Sequence, residues 1–247
     1  MERDSLNRAA DHLLSAFALL TRLPLPDHRP AGAEAAWAWP LVGAALGLTV
    51  AIVSSALLAC GLPPGPTAAA ALAALALLTG AIHEDGLADT ADGLMGGHSP
   101  ERRLKIMKDS HIGSFGALAL MLVTLAAWSA LSTLLTTGQH WPALIAASTL
   151  SRAPMVALMA ALPPARATGL SAATGRPGPV TAALALLLAL LVALLCLHAQ
   201  AFAPLLAATL PAILLALAAR HLIGGQTGDI LGASQQLAFA AVLSIIA

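Results

Sequence analysis

Four stretches of this chain, 41–83, 113–151, 177–219 and 230–247, contain no Asp, Glu, Lys or Arg. Few constraints on folding are stronger. A helix of about 20 apolar residues spans the hydrocarbon core of a bilayer, and a charge placed there is costly. Only 10% of the residues are charged, against about 25% in a soluble domain. The gaps hold spans near 41–60, 67–83, 115–135, 142–162, 180–199, 203–222 and 230–247. The expectation is an all-α, polytopic integral membrane bundle of about seven transmembrane helices, forming a single domain over 1–247.

The connections carry the topology. Gly61–Pro66, Thr136–Trp141 and Gln200–Ala203 are short and uncharged, whereas 84–112, 163–178 and 220–229 together with the N-terminal segment hold all the Lys and Arg but Arg152. The two kinds alternate, so the charged ones share one face with the N-terminal segment. The positive-inside rule makes that face cytoplasmic. The expected location is the bacterial cytoplasmic (inner) membrane, with membrane lipid as surroundings. In residues 5–20, Leu6, Leu13, Phe17 and Leu20 fall near one stripe, as in an interfacial or re-entrant helix. Trp37 and Trp39 before Pro40 read as interfacial anchors. The mixed charges at the N-terminus do not resemble a cleavable signal. Cys60 and Cys196 have no ligand spacing, and a net charge of zero gives no sign of a nucleic-acid partner.

Against this background HEDGLADTADG, His83 to Gly93, is an anomaly: four carboxylates follow directly on an apolar run. Asp85, Asp89 and Asp92 are spaced i, i+4, i+7 and lie within about 60° of one another on a helix. Glu84 lies to the side. Neighbouring acids repel, and a divalent cation reverses that term. Oxygen ligands suit Mg²⁺ or Mn²⁺, and Mg²⁺ typically takes one or two carboxylates plus substrate phosphates. A plain solvated helix end, or a transporter ion site, would also place acids together.

Past the turn Gly96–Pro100, Glu101–Ser110 reads as a short helix whose Arg102, Arg103, Lys105 and Lys108 offer charge to phosphates and whose Asp109 offers one more carboxylate. Acids for a metal followed by bases for phosphate suit phosphoryl transfer. Arg152 lies inside the fourth span and should face a polar cavity. In Gly224–Asp229, GGQTGD, the glycines permit close backbone approach to a ligand around Gln226 and Thr227, and Asp229 stands where it could cap the last helix. Of the histidines only His83 and His111 adjoin these motifs.

Taken together, Thr21-Arg22-Leu23-Pro24, Trp39–Gly43, His83–Gly93, Ile106–Ser110 with Gly113 and Gly116, Ser151-Arg152, and Gly225–Asp229 followed by Gly232-Ala233 resemble the cobalamin synthase (adenosylcobinamide-GDP ribazoletransferase) family. The pieces run in family order along essentially the whole chain. The resemblance implies a Mg²⁺-dependent transferase of the last steps of cobalamin biosynthesis. It implies that adenosylcobinamide-GDP and α-ribazole, or its 5′-phosphate, are joined with release of GMP. On that reading Asp85, Asp89, Asp92 and Asp229 are metal ligands, and Asp89 and Asp92 are catalytic. Glu84, Arg102, Arg103, Lys108, Asp109, Arg152, Gln226 and Thr227 contact substrate or phosphate. A homo-oligomer, or a complex with other pathway enzymes, is left open. One departure stands in the last helix, where the family often has acids and this chain has Gln235-Gln236. A CDP-alcohol phosphotransferase is the alternative, through Asp89-Thr90-Ala91-Asp92-Gly93, but the Ala-Arg pair that should follow is replaced by Leu94–Gly97. An ion-coupled transporter is the alternative of a different class.

Overall fold

The computed structural model describes residues 2–247, with side chains from Asn7 onward. The chain runs through α1 (Glu2–Leu20), a 3-10 segment (Gly32–Ala38), α2 (Trp39–Ala59), α3 (Pro64–Thr79), α4 (Ile82–Gly96) and α5 (Pro100–Ile106). It continues through α6 (Ser114–Thr136), α7 (His140–Leu150), α8 (Arg152–Ala161), α9 (Leu170–Thr174), α10 (Pro179–Leu197), a 3-10 turn (His198–Ala201), α11 (Phe202–Ile223) and α12 (Gly228–Ile246). No strand occurs among the described residues. The one β-bridge, Pro164 to Gln226, is isolated.

Five helical runs are long and apolar enough to cross a membrane, or six if the bent pair α3 and α4 forms one broken span. The longest, Pro179–Ile223, has 45 residues and comprises α10, the 3-10 turn and α11. The expected seven spans divide that run in two and take α3 alone as a span. By length and composition the runs number five or six. Helix α1 is not among them and packs on the Gly32–Ala38 segment and α2. Leu13, Phe17 and Leu20 of its expected stripe join a core cluster with Trp39, whereas the side chain of Leu6 lies outside the described residues. Trp39 is therefore a core residue, 2% exposed, rather than an interfacial anchor. Trp37 donates its indole N–H to His12 Nδ1 at 3.0 Å.

Small residues set the closest helix contacts, as expected where lipid removes any hydrophobic drive between helices. On α2, Gly43 and Gly47 lie one turn apart against the backbone of α7, and a Cβ on Gly47 would stand 2.8 Å from Ile145 Cα. Gly80 (φ 67°) and Ala81 (φ 55°) end α3 in the left-handed region and turn the chain 91° into α4. The Ala81 N–H reaches back to the Ala76 carbonyl and the Gly80 N–H to that of Leu77, which satisfies the last carbonyls of α3. Arg22, from the early Thr-Arg-Leu-Pro motif, closes over this bend. Its N–H donates to the Leu78 carbonyl at 2.8 Å and its side chain lies against Gly80.

The three charged connections meet at one end of the bundle, as their alternation implied. Arg166 pairs with Asp229 at 3.0 Å, Lys108 Nζ donates to Thr168 Oγ1 at 3.2 Å, and Arg103 reaches the Leu222 carbonyl. The short helix after the turn is α5, Pro100–Ile106. It stops before the expected Ser110 because Met107 turns inward, 2% exposed, against Gly93. Replacing Gly47 by Val should overpack the α2–α7 contact and destabilise the protein by about 1–3 kcal/mol. Thermal unfolding in detergent reads this out; a midpoint equal to wild type would refute the close contact.

Candidate functional site

The acidic stretch is helical throughout α4, so Asp85, Asp89 and Asp92 do share a stripe. Burial grows along it: Asp85 is exposed, Asp89 half-buried and Asp92 buried. The cause is the packing of α4 between α12 and α6. Gly86 rests on the backbone of α12, where a Cβ would stand 2.8 Å from the Asp229 carbonyl oxygen and 3.2 Å from Gly232 Cα. This contact carries the GGQTGD loop up to the acidic stretch.

Asp92 serves α6. Its Oδ2 accepts the Gly113 N–H at 2.7 Å and its Oδ1 accepts the Gly116 N–H at 2.9 Å. A carboxylate at a helix N-terminus satisfies orphan amides and meets the positive end of the dipole. Both glycines are required there, because a Cβ at either would strike the carboxylate. Asp92 thus ties the N-terminus of α6 to α4.

Asp89 has Asp85, Asp92 and Asp229 as its acidic neighbours and Arg166 as its cationic one. Asp85, Arg166 and Asp229 line a cavity of about 240 Å³ that also reaches Trp39 and Ser171. Arg166 was not singled out from the sequence. It lies in a plain loop, and only the fold shows that its Nη2 meets Asp229 Oδ2 while its buried Nη1 finds no partner among the described residues. Thr227, not Asp229, caps α12: its Oγ1 accepts the Ile230 N–H at 3.3 Å and donates to Asp229 Oδ2 at 3.1 Å. Gln226 is buried, accepts the Ser171 hydroxyl at 2.6 Å, and through the bridge to Pro163–Ala165 orients the Arg166 loop. A side chain at Gly225 would collide with the Pro163 carbonyl.

Other expected site residues lie elsewhere. Glu84 and Arg152 line a second cavity beyond the α4–α12 contact. Glu84 accepts from Gln236 at 3.0 Å, and Gln235 donates to Ser151 at 3.0 Å, so the two glutamines of the last helix have structural partners. Arg103 is held by the carbonyls of Leu94 and Leu222. Arg102 of α5 and Lys108 just after it are exposed, and Lys108 reaches the Arg166 loop at Thr168. Asp109 pairs with His111, whose Nδ1 lies 2.6 Å away. Hydrogen bonds from His111 hold the Asp109 carboxyl below its ordinary range, and the carboxylate raises the His111 imidazole above its own. No three His, Cys, Asp or Glu among the described residues converge as a protein-only metal cage.

Comparison with known proteins adds the family context. A family profile described as cobalamin-5-phosphate synthase matches residues 12–247. A Bradyrhizobium diazoefficiens protein named adenosylcobinamide-GDP ribazoletransferase is 42% identical over 99% of this chain and 96% of its own length. Proteins of the same name from Mesorhizobium japonicum (44% identical, 95% of this chain, 92% of the relative) and Azorhizobium caulinodans (45%, 90% and 90%) are similar. No solved structure matches the chain significantly.

Two outcomes follow from the site's geometry. Asp92→Ala should cost about 1.5–3 kcal/mol by orphaning two buried amides, seen as a lower unfolding temperature in detergent and faster amide exchange at Gly113 and Gly116; unchanged exchange would contradict the capping role. The His111 imidazole, being raised by Asp109, should titrate in NMR above about 6.5, and Asp109→Asn should bring it down. The pair is therefore intact between the lowered Asp109 value and the raised His111 value, and is lost as pH falls through the first or rises through the second. A midpoint indifferent to Asp109→Asn would rule the pair out.

Proposed function

Because the chain belongs to the cobalamin-5-phosphate synthase family, we propose that its charged face joins adenosylcobinamide-GDP to α-ribazole, or to α-ribazole 5′-phosphate, and releases GMP. The protein is an enzyme of cobalamin synthesis, at the ribazoletransferase step. The observation that carries the finer reading is the gathering of Asp85, Asp229 and Arg166 around one cavity at the charged end of the bundle, with Asp89 as their electrostatic neighbour. Acids beside an incompletely paired guanidinium suit a diphosphate held by cation and arginine together.

The donor set suits Mg²⁺ in its usual mode. Asp85 and Asp229 are electrostatic neighbours, and Asp89 adjoins both. Carboxylates in that number fit an ion that completes its shell from phosphate and water, not one that needs a protein-only cage. When bound, Mg²⁺ supplies charge neutralisation to the diphosphate.

The chain's own groups supply the rest. Arg166, fixed by Asp229, directs its free Nη1 to a phosphate oxygen. Arg102 and Lys108 face the same end and offset charge on the leaving nucleotide. The 3′-hydroxyl of the ribazole ribose attacks the phosphorus that bears cobinamide. The new O–P bond forms as the bond to GMP breaks, and Asp89 accepts the hydroxyl proton. Asp92 positions α4 against α6 and so fixes where Asp89 stands. The positive-inside rule supports a cytoplasmic face for this chemistry, where nucleotides are.

The test is GMP release from adenosylcobinamide-GDP and α-ribazole by the protein in proteoliposomes. Asp89→Asn and Arg166→Ala should each lower the rate by about 100-fold or more. Chelation should abolish activity and added Mg²⁺ restore it. Wild-type rates in both variants would overturn the assignment of the site.

A further inference from the structure

A second cavity, of about 540 Å³, lies on the other side of the α4–α12 contact. Of the residues lining it, only His83 also lines the cavity that holds Asp85, Arg166 and Asp229. The Gly86 and Gly232 backbones close the space between them. A group bound in the larger cavity is therefore walled off from the carboxylates of the proposed reaction.

Its two ends differ in chemistry. The long wall is apolar, built of alanines of α3 with Leu72, Leu125 and Phe239. Ala69, Ala73 and Ala76 recur on one face of α3, so small side chains keep the space open along its length. From Ala69 to Thr79 that wall is about 15 Å long at the helical rise. Ala69 and Ala73, and Leu125 and Trp128 across from them on α6, are exposed, so the cavity opens sideways between two membrane-facing helices.

The floor is polar and incompletely satisfied. His83 Nε2, Glu84 Oε2, Arg152 Nε and Gln235 Oε1 are buried and find no partner among the described residues. His83 and Arg152 are each only 2% exposed. Buried polar atoms of this kind are destabilising when left unpaired, so a ligand that meets them supplies the missing hydrogen bonds. The atoms include both donors and acceptors, and one anion faces one cation. An anionic head would set its charge against Glu84, and a cationic one against Arg152. A neutral hydroxyl donates and accepts at once and fits both.

We propose that this cavity binds a bilayer amphiphile: a single long apolar chain, entering between α3 and α6, whose uncharged hydroxyl head rests on Glu84, Arg152, His83 and Gln235. The chain lies against the alanine face of α3. The site is separate from the transferase centre and stands or falls independently of it.

Photolabelling of the full chain in phosphatidylcholine nanodiscs tests this, with a hexadecanol carrying a diazirine near its chain end. Peptide mass spectrometry should place the adducts on 69–76 and 124–128, and excess unlabelled hexadecanol should reduce them at least ten-fold. The same diazirine on hexadecane, which lacks the hydroxyl, should give only unsaturable background. Ala73→Phe, which fills the wall, should cut the saturable adducts at least ten-fold; if that variant does not fold, Ala69→Leu serves. Adducts spread evenly over the lipid-facing surface, or undiminished by competitor, would overturn the proposal. So would competition by α-ribazole, which would make the cavity a substrate site. Labelling needs no turnover, so a loss of GMP release in the site variants leaves this result unaffected.

Discussion

Everything at the charged end of this protein depends on how closely α4 and α12 approach. Gly86 and Gly232 let the two backbones meet, with a hypothetical Cβ on Gly86 only 2.8 Å from the Asp229 carbonyl oxygen. Any side chain at Gly86 would push α12 and its preceding loop away. That loop carries Gln226, Thr227 and Asp229, and through the bridge to Pro163–Ala165 it carries Arg166 as well. Residues from three separate connections thus share one cavity because two helices lack side chains at one crossing.

The same contact divides labour among the acids. Asp92, buried between α4 and α6, gives both oxygens to backbone amides. Asp89 and Asp85 stay partly open to the cavity side, near Asp229. Glu84 turns the other way, toward Gln236 and Arg152. Four acids within nine residues therefore occupy three environments: an anchor, a pair beside the cation-and-phosphate site, and a floor residue of a second cavity. The proposed Mg²⁺ chemistry takes its ligands from the middle one together with Asp229, and relies on the anchor to position them.

The architecture was legible because the costs behind it are one-dimensional. Charges in lipid are expensive wherever they fall, so charge-free runs mark helices and charged connections mark one face without any knowledge of packing. Reading 84–92 as helix worked for a similar reason: spacing along one element needs no partner. What failed was what depends on a partner. Trp39 next to a span boundary looks like an anchor until α1 folds over it. Asp229 at a helix start looks like the cap until Thr227 takes that place. The short basic helix was expected to run on to Ser110, but Met107 has a core pocket beside Gly93 to fill.

By itself, then, the sequence determined the helical membrane class, the common face of the charged connections and the candidate carboxylates. Hydropathy and 3.6-residue periodicity are local quantities, and the family motifs are local too. Only the tertiary structure decided which acids face one another, that Arg166 belongs with them, and that Glu84 and Arg152 belong to a different cavity. Those facts rest on distances between residues far apart in the chain, from Arg166 to Asp229 and from Glu84 to Gln236. Such distances are set by how closely helices pack, and packing is set by small residues whose meaning appears only when the facing backbone is known.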